Sequence, residues 1–135
     1  MAATDSLNET LARGDIAADM SGIQWITAGD PDPRELTQYL QQRGARFITI
    51  TAYELPPGQG FSLEYLWDLN GQLLGFTVHV EAGTVSSVFD ICEAADWIER
   101  EIHEEFAIEF AGRIYEPLLL REGDRPGVNL HEVAP

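Results

Sequence analysis

Cys92, Asp96, Glu99 and His103 stand at i, i+4, i+7 and i+11, so a helix through them gathers a thiol, two carboxylates and an imidazole on one face. Those are the donor types of a transition-metal site or an acid/base pair. The spacing allows pairs only. Glu99 and His103, one turn apart, could touch one ion, but Cys92 lies about 16 Å up the axis from His103 at a rise of about 1.5 Å per residue. The same residues also describe a solvated helix face carrying an i,i+4 pair, and that is the reading adopted. His79 and His131 have no ligand-spaced companions, and the adjacent acids Glu104 and Glu105 say little in so acidic a chain. There is no Gly-x-Ser-x-Gly, Gly-x-Gly-x-x-Gly, Walker loop or Cys-x-x-Cys, so enzyme readings lose most of their support.

The element that must carry these residues begins at Asp90-Ile91-Cys92-Glu93, which has the form of a capping box and predicts a helix to about Phe106. Ile91, Ala94, Ala95, Ile98, Ile102 and Phe106 fall on one stripe at about 100° per residue and should cover a sheet. Glu105 interrupts that stripe and is expected to turn to solvent where the helix frays. Trp97, Glu101, Glu104, Glu93 and Asp90 make a second stripe, an aromatic ringed by acids that suits a basic partner surface; Trp97 partly buried on the domain's own sheet is the competing reading. Arg100 sits opposite the apolar stripe, one turn from both Asp96 and Glu104, where a surface ion pair contributes about 0.3–0.5 kcal/mol.

The sheet is predicted upstream. Asp32-Pro33-Arg34-Glu35 starts a helix over about 33–43, with Leu36, Tyr39 and Leu40 inward and Gly44 as its C-terminal cap. A short strand over Ile23 to Thr27, at a sheet edge, precedes it. Three strands follow: Arg46 to Leu55, with Ile48, Ile50 and Ala52 on one face; Phe61, Leu63, Tyr65 and Trp67 alternating; and Phe76, Val78 and Val80 alternating after the hairpin signal Asn70-Gly71. The expected fold class is α+β, a two-layer domain with a mainly antiparallel sheet and helices packed on it.

The 135 residues suit one domain, read as a loosely ordered acidic arm over 1–22, a globular domain over 23–120 and an extended tail over 121–135. With 23 acidic residues against 8 arginines and no lysine the formal charge is −15, which repels phosphate backbones and anionic headgroups. Nucleic acid is therefore excluded as an expected partner. One cysteine allows no internal disulfide, and no apolar run is long enough to span or enter a bilayer, so a cytoplasmic chain without direct membrane insertion is expected.

The second helix and its sequel carry a resemblance. Ala94-Ala95-Asp96-Trp97-Ile98-Glu99-Arg100-Glu101-Ile102-His103-Glu104-Glu105-Phe106, then Ile108-Glu109-Phe110, Gly112-Arg113 and Pro117-Leu118-Leu119-Leu120, are similar to the 30 kDa subunit family of respiratory complex I and its homologues in energy-converting [NiFe] hydrogenases and formate hydrogenlyases. Glu99-Arg100-Glu101, Glu104, Phe106, Pro117 and Leu119-Leu120 match the family pattern, whereas Glu105 replaces an apolar residue, Ala107 a glycine and Arg113 the usual histidine. The similarity runs more weakly over 23–120.

This resemblance implies a structural subunit of an oxidoreductase complex that is not catalytic by itself, holds no cofactor or metal, and packs on the large subunit. Trp97, Glu99, Arg100, Glu101, Glu104, Phe106 and Arg113 are the partner-binding residues it suggests, with Arg100 pairing across an interface or under the segment after Phe106. The tail lacks the His-Pro-Leu-Arg-Lys-like ending of complex I members, which favours the hydrogenase branch. Its partners would be a large [NiFe] hydrogenase-type subunit and a neighbouring iron–sulfur subunit, with the chain peripheral on the inner face of the membrane. The complex I 30 kDa subunit, beside a 49 kDa-type partner, is the runner-up. A small metalloenzyme using Glu99 and His103 is the alternative of another class.

Overall fold

Asn70 and Gly71 adopt φ of 52° and 87°, the left-handed pair that a type I′ turn requires, and Gly71 N–H donates to Asp68 Oδ1 at 2.8 Å. The computed structural model, which describes residues 16–18, 21–26 and 31–114, builds its main sheet around that hairpin. Taking the strands in chain order, β1 is Ile16–Ala18, β2 Gln24–Ile26, β3 Arg46–Glu54, β4 Phe61–Leu69 and β5 Gln72–Val80. The sheet runs β1-β2-β5-β4-β3, antiparallel throughout except for the parallel pair β2·β5. The expected edge strand β2 is therefore interior, because β1, lying within the segment read as an arm, pairs along its outer side.

Strict alternation holds where the ladder is regular. Leu63, Tyr65 and Trp67 on β4 face inward with Leu74, Phe76, Val78 and Val80 on β5. Alternation fails on β3. A bulge between Phe47 and Thr49 inserts one residue, so Phe47 and Ile50 both turn inward while Ile48 is left 41% exposed. Phe47 then meets Trp67 edge to face at 5.4 Å between centroids.

Helix α1, Pro33–Gln42, starts as its residues dictate: Asp32 accepts from Arg34 N–H at 3.0 Å and proline takes the first turn. Leu36, Tyr39 and Leu40 are buried on the sheet, and Gly44, at φ 83°, closes the helix. Beyond β5 the chain forms β6 (Thr84–Ser86), a single 3-10 turn (Glu93–Ala95), α2 (Asp96–Phe106) and β7 (Glu109–Ala111). Strands β6 and β7 are parallel, so α2 is the crossover that joins them. Side chains from α1, α2 and the inner face of the sheet share one core cluster, which makes this an α+β two-layer fold.

The predicted helix start is displaced. Asp90 is not the helix cap; its carboxylate is gripped by the Arg34 guanidinium through two bonds of 2.6 and 2.8 Å, which hold its pKa below the usual carboxylate range. Asp90 to Glu93 therefore does not act as a capping box, and the α-helix proper begins at Asp96. The buried stripe is correspondingly narrower: Ala95 and Ile102 are buried, Ala94 is exposed, and Ile98 and Phe106 are half-buried. Glu105 is exposed, yet without fraying, since α2 runs through Phe106 and is stopped by Ala107 in a left-handed conformation at φ 58°. The stretch Pro117-Leu118-Leu119-Leu120, the tail and His131 lie outside the described residues.

Candidate functional site

Glu99 is fully buried, although it belongs to the face read from sequence as solvated. Three donors hold its carboxylate: Ser87 Oγ at 2.6 Å and Arg113 Nη1 at 3.1 Å on Oε1, and Val88 N–H at 2.9 Å on Oε2. Ser87 also accepts from Phe89 N–H at 3.1 Å, so the strand end after β6 is tied directly to the middle of α2. Burial pushes the Glu99 carboxyl above its ordinary pKa, while Ser87, Val88 and Arg113 oppose that shift. Burial and the neighbouring Glu99 charge likewise push the buried Tyr65 phenol upward.

Arg113 reaches back from beyond β7. Its guanidinium pairs with Glu99 and Asp96 and lies over the Phe89 ring, 4.7 Å from the centroid. Burial depresses its pKa, but the bonds to Asp96 and Glu99 more than restore it, so the cation is fixed. Asp96 is shared: its other oxygen takes Arg100 Nη2 at 3.3 Å. Arg100 in turn covers the Trp97 ring at 5.1 Å. The result is a chain of charges, Glu99–Arg113–Asp96–Arg100, that runs from the core to the surface and ends at an indole.

These contacts give each expected site residue its place in the fold. Glu99 and Arg113 are internal, Arg100 is mostly buried on Asp96, and Glu104 is only 6% exposed. Phe106 is half-buried edge to face on Phe61, at 5.7 Å. Glu101 is half-buried. Trp97 alone of the seven projects freely, 66% exposed, which excludes its burial on the domain's own sheet. Ile114, 90% exposed beside the cleft lined by Phe89, Asp96, Arg100 and Arg113, was not anticipated; it follows the family motif and carried no periodic signal. Asp96, Ser87 and Phe89 were likewise missed as members of one cluster, because their partners are remote in sequence.

The metal alternative finds no support in this geometry. Cys92 is buried, with its thiol pushed up by burial, Glu99 is bonded to its donors, and His103 Nδ1 lies 2.9 Å from Ile108 O. Among the described residues no three His, Cys, Asp or Glu side chains are grouped as metal ligands. Within the same residues, no helix is long and apolar enough to cross a membrane.

No curated protein matches the chain. Its fold recurs among solved structures, two of which superpose as follows. The trypsin-resistant fragment (1–134) of Nqo5 superposes with a TM-score of 0.63 at 22% identity, over 86% of this chain and 100% of that one. A chain from the membrane-bound sulfane sulfur reductase, an archaeal respiratory membrane complex, gives a TM-score of 0.75 at 16% identity, over 97% of this chain and 84% of that one. The sequence profile of the respiratory-chain NADH dehydrogenase 30 kDa subunit matches residues 26–128, spanning β3 to β7 and the whole ion-pair cluster, and to that family the chain belongs.

Proposed function

We propose that the chain is the non-catalytic structural subunit of a membrane-associated energy-converting [NiFe] hydrogenase, peripheral on the inner face of the membrane and docked on the large catalytic subunit beside an iron–sulfur subunit. One observation carries the docking role. The helix bearing Glu99-Arg100-Glu101 holds Asp96, Glu99 and Arg100 in fixed internal pairs and a single large aromatic, Trp97, out in solvent. Such a helix presents a surface rather than reacting groups. The respiratory membrane complex among the structural relatives is consistent with membrane association.

The 30 kDa subunit of an NADH:quinone oxidoreductase is the second reading, favoured by the family's own description and by the full coverage of the Nqo5 fragment. Affinity purification of the tagged full-length chain from its native membranes tests both. A co-purifying large subunit with stoichiometric nickel is the expected result. A large subunit without nickel, in a complex that oxidises NADH, establishes the second reading, and recovery of the chain alone refutes both.

A further inference from the structure

Glu93 in the 3-10 turn and Trp97, Glu101 and Glu105 on α2 follow one another at four-residue steps, the last three about 6 Å apart along the helix axis at a rise of about 1.5 Å per residue. Glu93, Trp97 and Glu105 are exposed and Glu101 is half-buried. None of the three carboxylates makes an ion pair with any described residue, in contrast to Asp90, Asp96 and Glu99, which all hold arginines. Ile114 adds a second exposed apolar side chain to the side of the molecule where Arg100 meets Trp97.

We infer that this stripe receives a basic segment of the large subunit, whose arginine or lysine side chains pair with Glu93, Glu101 and Glu105 while an aliphatic stem lies on Trp97. The inference rests on the docking role proposed above and specifies the chemistry of the partner. Charge complementarity selects the occupant. A second copy would bring another −15 and the same carboxylates, so self-association is opposed, whereas a cationic strip gains attraction at every step. Arg100 does not repel that strip, because its charge is held on Asp96 and its side chain is only 13% exposed. Trp97 supplies the desolvated anchor and the carboxylates the surrounding charge.

The test measures binding of the full-length chain to the co-expressed large subunit at two salt concentrations, for the wild type, W97A and the triple variant E93Q/E101Q/E105Q. The substituted side chains are exposed, or in Glu101 half-buried, and circular dichroism checks that folding is retained. At low salt the triple variant should bind at least 30-fold more weakly, with the deficit shrinking at high salt, and W97A should lose at least 30-fold at both. Unchanged affinity and salt slope in the variants would overturn the inference while leaving docking itself intact. Should the wild type fail to bind the large subunit, the docking role falls, and titration with a synthetic leucine–arginine amphipathic peptide decides the remainder. A wild-type emission change absent from W97F and from the triple variant supports a basic-segment site; no change refutes it.

Discussion

Replacing Glu99 by alanine should destabilise this domain far more than removal of any exposed charge in it. The substitution strips the acceptor from Ser87 Oγ, Val88 N–H and Arg113 Nη1, which stand at 2.6, 2.9 and 3.1 Å, and no solvent can replace it at a fully buried position. Arg113 keeps the Asp96 carboxylate and a longer 3.4 Å contact from Nη1 to the Asp96 carbonyl, but it loses its closest Nη1 acceptor with its side chain only 4% exposed. Removing one member of a buried pair costs about 3–5 kcal/mol, chiefly because the stranded charge and donors stay buried. Against a typical total of about 5–15 kcal/mol that is a large fraction. Urea denaturation of the full chain, followed by circular dichroism, should show the midpoint falling by about 2 M at constant slope, taking a slope of about 2 kcal/mol per M. A loss below about 1 kcal/mol would refute the reasoning, since it would mean that the cluster contributes no more than an exposed pair.

Arg113→Ala should match that loss, whereas Arg100→Ala, which breaks one 3.3 Å i,i+4 contact and uncovers the Trp97 ring, should cost less, about 1 kcal/mol; thermal melts of the two variants compare them directly. The pH dependence has a definite sign. Because the Glu99 pKa is raised in the folded chain, its contribution to stability is full below the ordinary glutamate value of about 4.3 and declines as pH rises through the folded value. The stability gap between wild type and Glu99→Gln should accordingly be wider at pH 4 than at pH 8 (about those values), and a gap that widens with pH contradicts the assignment. Ala107→Gly should stabilise the chain, since a left-handed φ of 58° costs an L-residue about 1–2 kcal/mol, of which glycine's extra unfolded-state freedom returns about 0.5–1 kcal/mol; a higher melting temperature checks it.

What could be read from the sequence was local. The Asn70-Gly71 hairpin, the Asp32 cap and Gly44 terminus of α1, and the inward alternation of Leu63, Tyr65 and Trp67 depend on neighbours within a few positions, and the structure reproduces them. The β3 bulge was not legible because it is a property of the pairing with β4, and one inserted residue exchanges the faces assigned to Ile48 and Phe47. Asp90 looked like a cap by spacing, but Arg34, distant in the chain, offers it two charge-assisted bonds that outweigh one amide. The site failed in the same way: Ser87 and Arg113 lie on opposite flanks of α2, so nothing in the helix pattern separated Glu99 from the exposed glutamates around it. The left-handed stop at Ala107 gives a physical reason for the glycine usual at that position of the family.

The burial of Glu99 and the exposure of Trp97 are one fact seen from two sides of the helix. At about 3.6 residues per turn, two positions separate side chains by about 200°, so whatever fixes Glu99 inward turns Trp97 outward. Apolar contact alone fixes that rotation loosely, since only Ala95 and Ile102 of the stripe are fully buried, Ile98 and Phe106 are half-buried, and the flanking strands β6 and β7 are three residues each. Hydrogen bonds are directional where burial is not. Glu99 is bonded to Ser87 and Val88 from the segment before α2 and to Arg113 from the segment after it, so rotation of the helix breaks bonds to buried groups. Asp96, gripped by Arg113 and Arg100 one turn earlier, extends the restraint along the axis to the residue next to Trp97. An indole held at a set azimuth by an internal charge lattice loses little conformational freedom when a partner covers it, and that is how a buried ion cluster with no reacting role contributes to assembly.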